Sequence, residues 1–232
     1  MNVSEPSIDY IAYEDVIIPL VLEKLIYSNM NVNYYWTDDF SAENYEALAK
    51  AGFISVTEKH LGEELLIPEI QFSYALLDFK DLHISKKVQK LLNQKKLSIT
   101  FSSNLDDVYE GINLCHKNSW LTEKYLKMLK EVQNLDGDVL VKAVELRKEG
   151  KLIAGEIGYI IGKTYTSLSG FSSREKSYRN YGTAQLVLLA QYLENLGCDF
   201  WNLGHPYMDY KLALGAKIYE RKEFLKRWKE SI

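Results

Sequence analysis

Between residues 167 and 225 the chain runs through a strand-like segment, a basic glycine-containing turn, an amphipathic helix, a short second strand and a charged tail. Few folds accept that order. The helical part places Leu186, Leu189, Ala190, Leu193 and Leu196 at helical spacing, and Gly197 supplies the stop. Ahead of this block, 139–147 and 152–161 read as a hairpin across Lys148-Glu149-Gly150, with 164–169 pairing next. Helices are expected over 106–117 and 122–133, with Trp120 between them, and a strand over 97–101. The order after Leu97 is strand, two helices, three strands, helix, strand, terminal helix. It predicts an α+β fold, a mixed and mainly antiparallel sheet flanked by helices.

The first third is shorter-ranged. Ile17, Val21 and Leu25, with Ile18, Leu22 and Ile26 beside them, step by four and predict a helix over 15–28 capped by Asp15, with Pro19 near its start. Ser41 is the expected cap of a helix over 42–52 that Gly52 ends. Short strands are expected at 53–56, 65–67 and 72–78, and Ser85 as the cap of a helix holding Val88, Leu91 and Leu92. We expect a small N-terminal α/β domain over 1–78 and a larger domain over 79–232.

A chain of 232 residues, 47% hydrophobic, has ample material for a core. Its 17 tyrosines suit clefts that hold flat or apolar groups. Two cysteines, Cys115 and Cys198, suggest neither a disulfide framework nor a metal cluster, and no metal is expected. A net charge of -4 argues against a general nucleic-acid binder but leaves room for a local site. Lys86, Lys87, Lys90, Lys95 and Lys96 form one such cluster, with no acid among them; its plainer reading is a solvated helix face. There is no secretory pattern, and apolar runs such as 186–190 are too short for a bilayer. The expectation is a soluble, cytoplasmic monomer with no membrane partner.

Several short motifs stand in a telling order: Asp39-Phe40-Ser41 before a helix ending Ala51-Gly52-Phe53, then Leu82-His83-Ile84-Ser85-Lys86-Lys87, Ser119-Trp120-Leu121, Val144-Glu145-Leu146, Gly150 to Gly155, Phe171-Ser172 and Leu214-Gly215-Ala216. Together, from Trp36 to Trp228, they resemble the leucyl/phenylalanyl-tRNA–protein transferases, whose main domain has the Gcn5-related N-acyltransferase fold. The resemblance implies transfer of an amino acid from aminoacyl-tRNA to the N-terminal residue of a protein, marking it for degradation as an N-degron. Aminoacyl-tRNA is then a co-substrate and no separate cofactor is needed. The implied partners are a tRNA acceptor end, met by His83, Lys86, Lys87 and Lys90, and a protein or peptide N-terminus. The implied substrate-binding positions are Glu156, Leu168, Gly170, Phe171, Ser172 and Trp120. Trp120 and Trp36 could also stack on a terminal base.

The chain departs from the family pattern in several places. Glu156 stands where the family has Met, and Leu168, Ser169 and Gly170 replace its Glu-Ser-Met. On the late strand an Asp-x-Gln pair is replaced by Leu203 and His205, or by Asn202 and Gly204 with a one-residue gap. Aminolysis of an activated ester needs a proton acceptor and donors for the oxyanion. His205 is the candidate base and Asn202 the candidate orienting group, with a loop histidine and a strand-end cap as their plainer readings. Glu156, Gly158 and Ile160 share one strand face, so a carboxylate lining the pocket would favour a basic substrate group unless an internal Lys or Arg pairs with it.

An alternative stays open. Arg179, Gly182 and Ala184 fit the Arg-x-x-Gly-x-Ala pattern by which Gcn5-related acetyltransferases hold the pyrophosphate of acetyl-CoA, at a strand-to-helix entry. A third reading is a non-catalytic binder of tRNA or of protein N-termini.

Overall fold

The computed structural model describes residues 8–95 and 97–232; Lys96 lies outside them. In chain order the elements are β1 (Asp9–Tyr10), α1 (Tyr13–Ile17), α2 (Pro19–Val21), a π-helical turn (Leu22–Tyr27), β2 (Tyr35–Trp36), α3 (Ala42–Lys50), β3 (Ile54–His60), β4 (Glu63–Glu69), β5 (Ser73–Leu77), α4 (Lys86–Lys95) and β6 (Ile99–Ser102). Then follow α5 (Asp106–Cys115), α6 (Glu123–Val132), β7 (Leu140–Lys148), β8 (Lys151–Ile161), β9 (Thr164–Ser172), α7 (Tyr181–Leu196), β10 (Phe200–Asn202), α8 (Asp209–Leu214), β11 (Lys217–Glu220) and α9 (Arg221–Ser231).

The expected α+β architecture is present. Seven strands form one sheet in the order β11-β5-β10-β9-β8-β7-β6. All neighbours are antiparallel except β9 and β10, which α7 connects as a parallel pair. One face of the sheet packs on α3, α5, α6 and α9 through residues such as Val108, Ile112, Leu129, Ile157 and Trp228. The other packs on α7 and α4 through Val88, Val187, Leu189, Leu193 and Trp201. Strand alternation divides these sets: Phe200 faces one core and Trp201 the other. Strand β5, which a boundary at 78 places in the first domain, is hydrogen-bonded between β10 and β11 inside the large sheet.

The capping expectations are met at Ser41, which accepts from Asn44 N at 3.3 Å, and at Ser85, which accepts from Val88 N at 3.4 Å. The helix expected over 15–28 is broken instead. Asp15 sits inside α1 rather than at its cap and accepts from Ala12 N at 2.9 Å. Pro19 cannot donate to the preceding turn, so α1 ends at Ile17 and the chain restarts at Pro19. The helix that the leucine spacing predicts over 183–195 begins two residues earlier, as α7 at Tyr181.

Two distant sequence motifs meet at Gly215. This residue ends α8 at φ +109, and a Cβ there would stand 2.0 Å from Asp81 O. The close approach lets His83 N donate to Leu214 O at 2.8 Å and Lys217 reach Asp81 at 2.6 Å. Gly150 shares the positive φ, +80, but a Cβ there meets nothing within 4 Å. Gly215→Ala should therefore destabilise the protein by more than Gly150→Ala, which should cost only about 1 kcal/mol of backbone strain. Urea titration of the two variants checks this; equal losses would dissociate the glycine from the 81–83 contact.

Candidate functional site

The parallel strands β9 and β10 part company after three residues. They pair from Phe200↔Thr164 to Asn202↔Thr166. Beyond that, β9 runs on to Ser172 bonded only to β8, while the chain after Asn202 follows β5 through Leu203 N to Ala75 O, 2.9 Å, and Ala75 N to Gly204 O, 2.7 Å. A fork opens between them, and along its β9 side the strand edge has no strand partner.

Asn202 stands at the base of the fork, buried, and both ends of its amide are in use. Its Nδ2 donates to Thr166 Oγ1 at 3.4 Å and its Oδ1 accepts from Gly204 N at 2.9 Å. This is the strand-end cap, and it shapes the turn that presents His205. His205 is one-third exposed, and its Nε2 lies 2.7 Å from Glu69 Oε2. Tyr207 stacks on the imidazole, centroids 5.2 Å apart and planes at 23°. Glu69 itself is buried and accepts from Asn33 Nδ2 at 2.7 Å and Gln71 Nε2 at 3.4 Å. Burial and the Glu69 charge push the nearby Tyr34 hydroxyl up to about 12. A carboxylate on Nε2 fixes the tautomer, with Nε2–H donating and Nδ1 left as the basic nitrogen.

Behind the fork, between the sheet and α7, lies a second polar group. Glu156 is 4% exposed, so it does not line an open pocket as its strand position suggested. Its carboxylate accepts from Tyr165 Oη at 3.0 Å, Ser167 Oγ at 2.7 Å and Gln185 Nε2 at 3.5 Å. Ser167 in turn accepts from Trp201 Nε1 at 2.8 Å. No Lys or Arg forms an ion pair with Glu156 among the described residues; hydroxyls and an amide satisfy it instead. Burial raises its pKa and those donors oppose the rise. Lys211, also buried, sends its ammonium to Leu203 O and, at 2.7 Å, to His205 O. Desolvation brings Lys211 down to about 8 against the pull of Glu156.

The remaining expected positions scatter. Leu168 sits at a register shift between Ile157 and Gly158, where β9 carries an extra residue, and packs into the core. Gly170 is exposed, its carbonyl 3.0 Å from His116 Nε2. Phe171 packs where a side chain on Gly111 would otherwise lie and lines an open cavity of about 440 Å³ with Leu152, Leu114, Glu110 and Arg174. Ser172 is exposed and fills the space a Gly182 side chain would need, 2.8 Å from its would-be Cβ. Trp120 is away from the fork, edge-on to Tyr125 at 5.1 Å, with its carbonyl bonded to the Thr57 hydroxyl. Trp36 is likewise packed, edge-on to Tyr10. Lys86, Lys87 and Lys90 are exposed on α4 and form no salt bridge among the described residues; His83 is exposed beside them. Arg179 is exposed, and Ala184 is a fully buried core residue.

A model of the leucyl/phenylalanyl-tRNA protein transferases matches residues 76–229. The chain belongs to that family. The match takes in the last two residues of β5 and every later strand of the large sheet, and so β9, β10 and His205; Asn33, Glu69, Gln71 and Ala75 precede it. The family's transferase from Flavobacterium johnsoniae is 24% identical over 65% of this chain and 69% of its own length. That from Pseudomonas fluorescens is 26% identical over 62% of each. The chain thus matches about two thirds of these relatives' length. Looser likenesses extend to FemX, with a TM-score of 0.46 and 12% identity over 77% of this chain and 66% of that one. The L-PGS from Bacillus licheniformis scores 0.43, at 12% identity over 65% and 60%.

Reading motifs did not find Glu69, Tyr165, Ser167, Gln185 or Lys211. Glu69 closes the otherwise apolar run 65–70, and that lone charge is the one signal the sequence carried. The buried lysine also yields a test of burial. An unfolded Lys211 titrates near 10.5 and the folded one near 8. Between those values the unfolded chain holds the extra proton, so stability rises with pH. Relative to Lys211→Met, the wild type should gain on the order of 3 kcal/mol from pH 8 to pH 10.5. Urea unfolding at four pH values measures it; a constant gap would mean the ammonium is not desolvated.

Proposed function

We propose that the protein transfers an aminoacyl group from aminoacyl-tRNA to the α-amine at the N-terminus of a protein, the reaction that tags N-degrons. The family match over 76–229, which spans β9, β10 and the turn that carries His205, supports this reading.

The chemistry follows from the fork. The ester lies along the free edge of β9, whose backbone N–H groups past Thr166 stand ready for the oxyanion. His205, its Nε2–H held by Glu69, takes the proton of the attacking amine at Nδ1. The amine nitrogen bonds to the ester carbon, the tetrahedral intermediate collapses, the ester C–O bond breaks, and the proton leaves with the tRNA hydroxyl. Asn202 holds the Gly204 turn that aims the histidine. Lys86, Lys87 and Lys90 meet acceptor-end phosphates as unpaired cations. Glu156, closed behind Tyr165 and Gln185, acts as frame rather than as a selector of a basic donor.

The acetyl-CoA reading draws no support from the Arg179–Ala184 turn. Gly182 is explained by Ser172 packing against it, and Arg174 donates to Cys115 O at 2.8 Å.

Transfer to a panel of peptides with varied N-termini, from total charged tRNA in one arm and acetyl-CoA in the other, tests the proposal. Label should move only from tRNA; movement only from acetyl-CoA would overturn it. His205→Ala should lower kcat by about 10²- to 10⁴-fold with KM for peptide little changed. Replacing Lys86, Lys87 and Lys90 with Glu should instead raise KM for tRNA and flatten its dependence on salt, because phosphate contacts and the counterions they release are lost, leaving the fold intact by thermal melting.

A further inference from the structure

We infer that Lys211 is the positioning residue of the fork, holding His205 in its working place through two main-chain carbonyls. The inference rests on the reading of His205 as the proton acceptor. Leu203 and His205 flank Gly204, and both of their carbonyl oxygens accept from the one Lys211 ammonium. Residues on either side of the turn are thereby tied to a single point. The point does not move easily. Lys211 is 4% exposed and lies on α8, whose end is pinned by the His83 N to Leu214 O bond and by the Gly215 approach to Asp81.

A buried ammonium bonded only to carbonyls leaves its charge uncompensated locally, and such a charge is expensive. Glu156 is the carboxylate that answers it, held in turn by Tyr165, Ser167 and Gln185. A lysine in this place is poorly explained by stability alone, since a buried ion can often be replaced by an apolar side chain without loss. Its contacts explain it better. The imidazole is gripped by Glu69, so the side chain and the main chain of His205 are fixed by separate partners. Glu69 sets the tautomer, and Lys211 sets where the ring sits. Lys211 touches neither the substrate edge of β9 nor the ring nitrogens, so its effect passes through His205.

The decisive experiment combines a double-mutant cycle with a spectroscopic signature. Lys211→Met should lower kcat about 10²-fold with KM for peptide unchanged, the size expected of a small misplacement of a reacting group. In a His205→Ala background the same substitution should change kcat by less than about twofold, because a residue acting through another loses its effect when that other is gone. An equal loss in both backgrounds would overturn the inference. In the resting protein, the hydrogen-bonded Nε2–H proton of His205, assigned by its absence in His205→Ala, should vanish from the NMR spectrum of Lys211→Met. Signals of His60, His83 and His116 should persist. Retention of the His205 signal would overturn the inference without any assay of transfer. A neutral result for His205→Ala itself would sink the proposed chemistry, while the NMR signal would still decide whether Lys211 holds the ring. Should Lys211→Met fail to fold, Lys211→Arg keeps two donors for the carbonyls and should keep the signal; its absence there would count against the clamp.

Discussion

One buried guanidinium ties this molecule together. Arg221, at the start of α9 and 1% exposed, donates to the carbonyls of Gln71 at 3.0 Å, Asn29 at 2.6 Å, Val32 at 3.0 Å and Ile70 at 2.6 Å. Its plane lies 4.8 Å over the Phe72 ring. No carboxylate pairs with it among the described residues; four carbonyl dipoles and a ring share the charge. Only the planar five-donor fork of arginine can serve so many acceptors at once. Through it the N-terminal segment, the β4–β5 link and the C-terminal helix become one body. Glu69, the last residue of β4, directly precedes that link, so the clamp lies next to the carboxylate that meets His205.

The fork itself is a topological necessity. A single parallel pair inside an antiparallel sheet forces a crossover, here α7, and two strands that leave the crossover in the same direction need not stay bonded. β10 ends after three residues because Asn202 closes on Gly204 and the chain turns to β5. β9 continues because β8 holds it on the other side. The gap between them leaves the β9 edge past Thr166 without a strand partner.

Two polar groups meet the 203–205 turn: Glu69, with Asn33 and Gln71, at the His205 ring, on which Tyr207 stacks, and Lys211 at the main chain; Glu156, with Ser167 and Gln185, is the carboxylate whose charge acts on Lys211. Burial drives both Glu156 and Lys211 toward neutrality, which shows desolvation outweighing their mutual attraction. Among the described residues, Gln71 Oε1 is a buried acceptor with no hydrogen-bond partner. Such an atom beside the histidine turn is where a buried water or a substrate donor would be held.

Much of the sheet was legible from the chain. The apolar runs 139–147 and 152–161 on either side of the Lys148-Glu149-Gly150 turn and the leucine spacing of α7 are local signals, and they required no knowledge of neighbours. The order of short motifs likewise carried the family. The periodicity around Pro19 is helical, and only the backbone shows that the helix stops at Ile17, restarts at Pro19 and passes into a π-helical turn at Leu22. The chain could not show that Glu156 is sealed rather than open. That depends on Tyr165, nine residues away, and Gln185, twenty-nine away, converging on one carboxylate. The sequence by itself determined the hairpin, α7 and the strand that His205 follows, but not the short α8 and β11 that precede the last helix. Only the tertiary structure decided which charges meet. The pairing of Glu69 with His205 and the reach of Lys211 to the carbonyls are set by how distant segments pack, which local spacing does not encode.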